Sequence, residues 1–151
     1  MNTQLNARKR YLRPITLSII GSSFFEFIIF LIFGLWLFPG GDLVNKFLWS
    51  VVFCGIGMGS TVGWLINLIV VDRLRGATAI GVTVIISVII LGLICNLLCI
   101  SLDQHFNYFG SHEMPTLFLV NGVFMSALGG AMVGWLLFSE TGAMYIEKFG
   151  L

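Results

Sequence analysis

Four long apolar runs divide the chain, at about residues 15–38, 46–71, 77–102 and 115–138, and short polar segments separate them. Each run exceeds the ~20 residues needed to cross a hydrocarbon core of roughly 30 Å, so the pattern predicts four transmembrane helices that tilt or kink. The first run follows Arg8, Lys9, Arg10 and Arg13 in the manner of a signal peptide. It is too long for the apolar core of one and no small-residue cleavage site follows, so it reads as a retained helix. The expectation is an all-α integral membrane protein with one domain over 1–151, a four-transmembrane-helix bundle with short tails at 1–14 and 139–151.

Small residues recur at a four-residue step within two of the runs. The second carries Gly55, Gly59 and Gly63, with Asn67 continuing the stripe, and the fourth carries Gly122, Ser126, Gly130 and Gly134. Residues four apart share a helix face, so each helix presents a groove of bare backbone. Apolar burial drives little association in lipid, and close backbone approach replaces it, which makes these stripes contact faces for each other, for a second copy or for another chain. The two runs also echo each other: Gly59–Leu65 and Gly130–Leu136 are identical at five of seven positions. The first and third runs match poorly at any single offset. A duplicated helical hairpin would give a parallel repeat about an axis near the membrane normal; the competing account is that glycine-rich membrane helices resemble one another by composition.

Composition agrees with the pattern: 58% of residues are hydrophobic, 10% are charged and the mean hydropathy is +1.00. A soluble domain carries about 25% charged residues. The net charge of +1 gives no basic field for nucleic acid. Of the eight Lys and Arg residues, seven (Arg8, Lys9, Arg10, Arg13, Arg73, Arg75, Lys148) fall on one side of the spans and only Lys46 on the other. That bias predicts that both termini are cytoplasmic. Tyr11, Trp36, Trp49, Tyr108, Trp135 and Tyr145 fall near the expected interfaces. The basic tail Arg8–Arg13 suits anionic lipid headgroups, and 139–151 suits a short interfacial helix or a disordered tail.

Candidate chemistry centres on Glu26, near the middle of the first run. An ionised carboxylate at that depth is costly, so it must be protonated, paired or facing a wet cavity, and intramembrane acids are proton- or cation-site candidates. The structural alternative is a protonated carboxyl bonded to Ser22, Ser23, Ser60, Thr61, Ser87 or Ser126; no basic residue is expected at its depth. Asn67, Asn96 and Asn121 are expected to join helices by amide hydrogen bonds, with Asn96 and Asn121 near enough in depth to meet. His105 and His112, with Asp103 and Glu113, make a weak metal-ligand set on the longest outer loop, 103–114. Cys54, Cys95 and Cys99 all lie in apolar runs, as free cysteines packed as small hydrophobes do, and do not form a secreted disulfide framework. Four-helix thiol oxidases and quinone reductases use a Cys-x-x-Cys pair near the membrane surface, whereas this chain has Cys-x-x-x-Cys.

The outline resembles small multidrug-resistance exporters in its mid-helix glutamate and duplicated rotary-ATPase proteolipids in its glycine content. The motifs do not transfer: the exporters' aromatic and glycine signatures are unmatched, and the proteolipids' acid lies in the final helix, where this chain has none. Three functions are expected from these residues. The first is a small non-enzymatic subunit of a larger assembly in an energy-transducing or bacterial inner membrane. It would contact membrane lipid and other chains or copies of itself. The second is a proton-coupled transporter or ion-conducting homo-oligomer using Glu26. The third is an intramembrane redox protein of quinone or thiol type. Lipid, pigment or quinone between the helices is compatible with each.

Overall fold

The computed structural model describes residues 2–37, 42–107, 111 and 114–148, and side chains from Tyr11 onward except that of residue 33. The described residues are helical, with no strand among them. Four helices are long and apolar enough to cross a membrane: α1, Tyr11–Leu37 (its helical turns begin at Asn2); α2, Leu43–Val71; α3, Gly76–Phe106; and α4, Pro115–Phe138. A fifth, α5, Glu140–Lys148, follows a break at Ser139. The first three spans are not uniform α-helices. Phe30–Leu37, Leu48–Met58, Asn67–Val71 and Val88–Cys95 are wound at the wider i→i+5 spacing. The third span runs further than its apolar run suggested, to Phe106, and takes Asp103 and His105 out of the loop and into the helix.

The helices form a closed ring in which α1 packs on α2 and α4, and α3 packs on α4 and α2. The closest pairs are the two sequential hairpins, and the glycine stripes make them close. Side chains added at Gly59 and Gly63 would strike Ser22, Ser18, Ile15 and Pro14 of α1. Side chains at Gly130 and Gly134 would strike Ser87, Val84, Ile80 and Thr83 of α3. Gly55 lies on Ser23, and Gly122 lies on the amide of Asn96. Both stripes are therefore filled by the preceding helix of the same chain. The register is also the same in both hairpins: Ile15, Ser18 and Ser22 stand where Ile80, Thr83 and Ser87 stand, a constant step of 65, against 71 for the glycines.

No more than half of each apolar span is buried inside the bundle, and the remainder faces outward with side chains such as Phe24, Ile85, Leu97 and Phe124. At the end bearing the tails, Asn67 Nδ2 donates to the Tyr11 carbonyl at 2.7 Å, and the Tyr11 hydroxyl donates to Asp72 at 3.3 Å. α5 folds back on α4, with Gly142 against the backbone of Trp135 and Leu136 and Ile146 buried. A wide cleft of about 670 Å³ at this end is lined by Arg13, Arg75 and Glu140.

Candidate functional site

Four polar or sulfur-bearing residues occupy one layer of the bundle. Glu26, Cys54, Cys95 and Ser126 each stand eleven residues from the same end of their helices, counting 26 to 37, 43 to 54, 95 to 106 and 115 to 126. At 1.5 Å per residue that is roughly 16 Å in, near the middle of a hydrocarbon layer of roughly 30 Å.

Glu26 is 9% exposed and borders two internal cavities. The cavity on the tail side, about 20 Å³, is lined by Ser18, Ser22, Ser87 and Ser126 among apolar residues. The other, about 30 Å³, extends away from the tails and is lined by Lys46, Trp49, Cys54, Cys95, Asn96 and Cys99. Each volume suffices for about one or two waters. Of the hydroxyls expected to bond Glu26, Ser23 Oγ is buried with no hydrogen-bond partner among the described residues, and the others spend their donors on backbone instead. Ser22 lies 2.5 Å from the carbonyls of both Ser18 and Gly55, Ser87 donates to Thr83 at 3.0 Å, and Ser126 donates to Val123 at 3.0 Å. Ser60 and Thr61 turn to the Gly57 carbonyl, away from the core. Ser18 Oγ is buried beside the tail-side cavity with no hydrogen-bond partner. A buried hydroxyl left in that state calls for a water.

The cysteines correct the sequence reading. Cys54 of α2 and Cys95 of α3 are joined by a disulfide, with Cα atoms 6.2 Å apart. Cys99, one turn further along α3, is a free and buried thiol. All three sulfurs lie within 4.8 Å of one another, and their residues are 3%, 1% and 5% exposed. The bridge closes the weaker α2–α3 contact, which has no glycine stripe of its own.

Lys46 lines the same region. Read from sequence as the lone cation of the far side, it is 3% exposed, donates Nζ to the Gly34 carbonyl at 3.0 Å, and lines the cavity that Glu26 and the cysteines share. Asp103 is buried on the same side, accepts from Ser111 at 2.9 Å and interacts electrostatically with Lys46. Its burial comes from the extra turn of α3, which turns its carboxylate into the bundle. Asp103 therefore does not share an exposed loop with His105, whose ring lies near the Ser101 carbonyl at 3.1 Å. His112, Glu113 and Tyr108 lie outside the described residues.

Among the asparagines, Asn67 joins α2 to α1 as described. Asn96 donates to the Leu91 and Gly92 carbonyls of its own helix, at 2.8 and 3.1 Å, with its amide seated against Gly122. It reaches the residue next to Asn121 rather than Asn121 itself; the small glycine is what admits it. Compared with models of known protein families, with curated proteins and with solved structures, the chain matches none.

Proposed function

We propose that this chain is an intramembrane thiol–disulfide redox protein. The observation carrying the reading is the cluster of three buried sulfurs, two bridged and one free, in the cavity that also holds Glu26. These are all the cysteines of the sequence, on two helices. The half-reaction is the loss of two electrons and two protons from Cys54 and Cys95 as one S–S bond forms. Sulfurs this deep are reached from the lipid, so the electron acceptor is a lipid-soluble quinone, which takes both electrons and two protons to become a quinol and draws from solvent whatever proton leaves by way of Glu26. Glu26 is the proton acceptor beside the sulfurs, and the serine-lined cavity with the orphaned Ser18 hydroxyl is the route by which its proton leaves.

The bundle behind this site is, in the same reading, a duplicated hairpin. The two hairpins pack in one register, and the six-residue difference between the steps of 65 and 71 falls at the far end, in the extra turn of α3 and the connection after it. At those steps Glu26 stands opposite Leu91, Cys54 opposite Met125 and Cys95 opposite Phe30. The site residues thus have no counterpart in the other hairpin. The Lys and Arg bias supports cytoplasmic termini, and with that orientation the cavity extends from mid-depth toward the side where disulfides persist.

An accessory-subunit role draws less support. Its glycine stripes are occupied within the chain, and its remaining apolar faces suit lipid as well as protein. Proton-coupled transport is favoured by one observation, that Glu26 borders a cavity on each side. The deciding experiment reduces the chain in nanodiscs, removes the reductant without air, and adds a short-chain quinone. The redox reading expects two thiols lost per quinone reduced, with Cys99 left open to alkylation. Unchanged thiols would overturn it. Proton flux in a variant with all three cysteines replaced by serine would move the assignment to transport.

A further inference from the structure

We propose that the reduced cysteine trio is a binding site for a thiophilic monovalent cation, Cu(I), opened and closed by the Cys54–Cys95 bridge. The proposal shares its residues with the redox reading but rests only on their reduced state. Three sulfurs within 4.8 Å of one another span the space that a single metal ion with three sulfur ligands requires. Two come from one helix face a turn apart and the third from the facing helix, so the ligands approach from different directions. Thiolates select soft cations, and Cu(I) accepts low coordination numbers. Zn²⁺ prefers four ligands in a tetrahedron, and the trio supplies three.

The cavity holds both acidic and basic groups: Glu26 lines it and must stay protonated for the metal–thiolate centre to form beside it. Lys46 lines the same cavity and offsets part of the negative charge that thiolates bring. Asn96 and Ser50 add polar groups, while Phe118 and Trp49 close the apolar side. Binding involves no electron transfer: copper enters and stays as Cu(I), Cu–S bonds form, and the displaced thiol protons leave to solvent. Oxidation of Cys54 and Cys95 consumes two of the three donors, because a disulfide sulfur has no thiolate charge to give. The bridged and metal-bound states therefore exclude each other, and the oxidant that forms the bridge releases the metal.

The test titrates Cu(I) without air into the full chain in detergent, in competition with a chromophoric Cu(I) chelator, for the reduced and the disulfide-bonded forms. One copper per reduced chain and none held by the oxidised chain is expected. Cys99→Ser is expected to weaken binding by about a hundredfold or more, since loss of an outer-shell partner alone costs 10–100-fold. That variant keeps Cys54 and Cys95, so reformation of their bridge on oxidation verifies its fold. Equal affinity in the oxidised chain, unchanged affinity in refolded Cys99→Ser, or retention of Zn²⁺ but not Cu(I) would each overturn the proposal. A redox couple that fails to react with quinone leaves the copper result readable, because the reduced state is set chemically.

Discussion

Replacing Gly63 by alanine probes the device that holds the hairpins together. A Cβ at Gly63 would collide with Ile15 Cα and lie 2.9 Å from the Pro14 carbonyl and 3.0 Å from the Ile15 nitrogen. All three are backbone atoms in a helix, so none can swing aside. Carbon atoms rest at about 3.5–4.0 Å, and a gap of 0.5–1 Å forfeits a quarter to a half of a contact's dispersion well. Parting α1 from α2 by about 1 Å loosens the whole stripe, not one contact. Overpacking of this kind costs about 1–3 kcal/mol, and immovable neighbours place Gly63 at the upper end. Gly81 is the control, with nothing within 4 Å of its added Cβ. Alanine there removes up to ~1 kcal/mol of helix penalty. Gly134, at the equivalent place in the second hairpin, meets Ile80 Cα at 3.2 Å and Thr83 at 3.3 Å, a misfit of a few tenths of an ångström. The expected order of stability is Gly81→Ala, then Gly134→Ala, then Gly63→Ala, with about 3 kcal/mol between the extremes. Equilibrium unfolding in mixed micelles, followed by circular dichroism against the fraction of denaturing detergent, measures it. A Gly63→Ala chain within about 0.5 kcal/mol of Gly81→Ala would refute the close α1–α2 approach, since surface substitutions scatter by that much.

Other outcomes follow from single contacts. Cys95→Ser is expected to move the bridge to Cys54–Cys99, seen as one linked peptide pair by mass spectrometry after oxidation, because all three sulfurs lie within 4.8 Å. Two free thiols after oxidation would contradict that proximity. Glu26→Gln is expected to slow quinone-driven thiol loss by about a hundredfold or more, the lower range for a lost proton acceptor, while the helix content stays unchanged. An unaltered rate would remove Glu26 from the proton path. Asn67→Ala deletes the amide that donates to Tyr11 and is expected to cost about 0.6–1.7 kcal/mol in the same unfolding assay. No loss there would make that link ornamental to stability.

Much of this protein was legible in one dimension. Backbone in a hydrocarbon layer must satisfy its own hydrogen bonds, so four apolar runs of sufficient length predict four helices long and apolar enough to span it. Glu26 was legible for the same reason: a carboxyl in a run of phenylalanine and isoleucine has few uses. The stripes of Gly55–Gly63 and Gly122–Gly134 announced contact faces, but not their partners, because a bare groove accepts any helix of matching shape. Only the packed bundle decided that each is filled by its own hairpin neighbour, and the register of those contacts aligned α1 with α3 where residue identity had not. The sulfur cluster was half visible. Cys54 and Cys95 stand at equal depth, but whether α2 and α3 turn those faces together depends on rotations that no local pattern encodes. The side on which Lys46 lies was legible, but not that its long stem lets the ammonium reach a carbonyl inside. Helix length and depth are properties of the chain and its solvent; which side chains meet at that depth is set by how four cylinders rotate and close against one another.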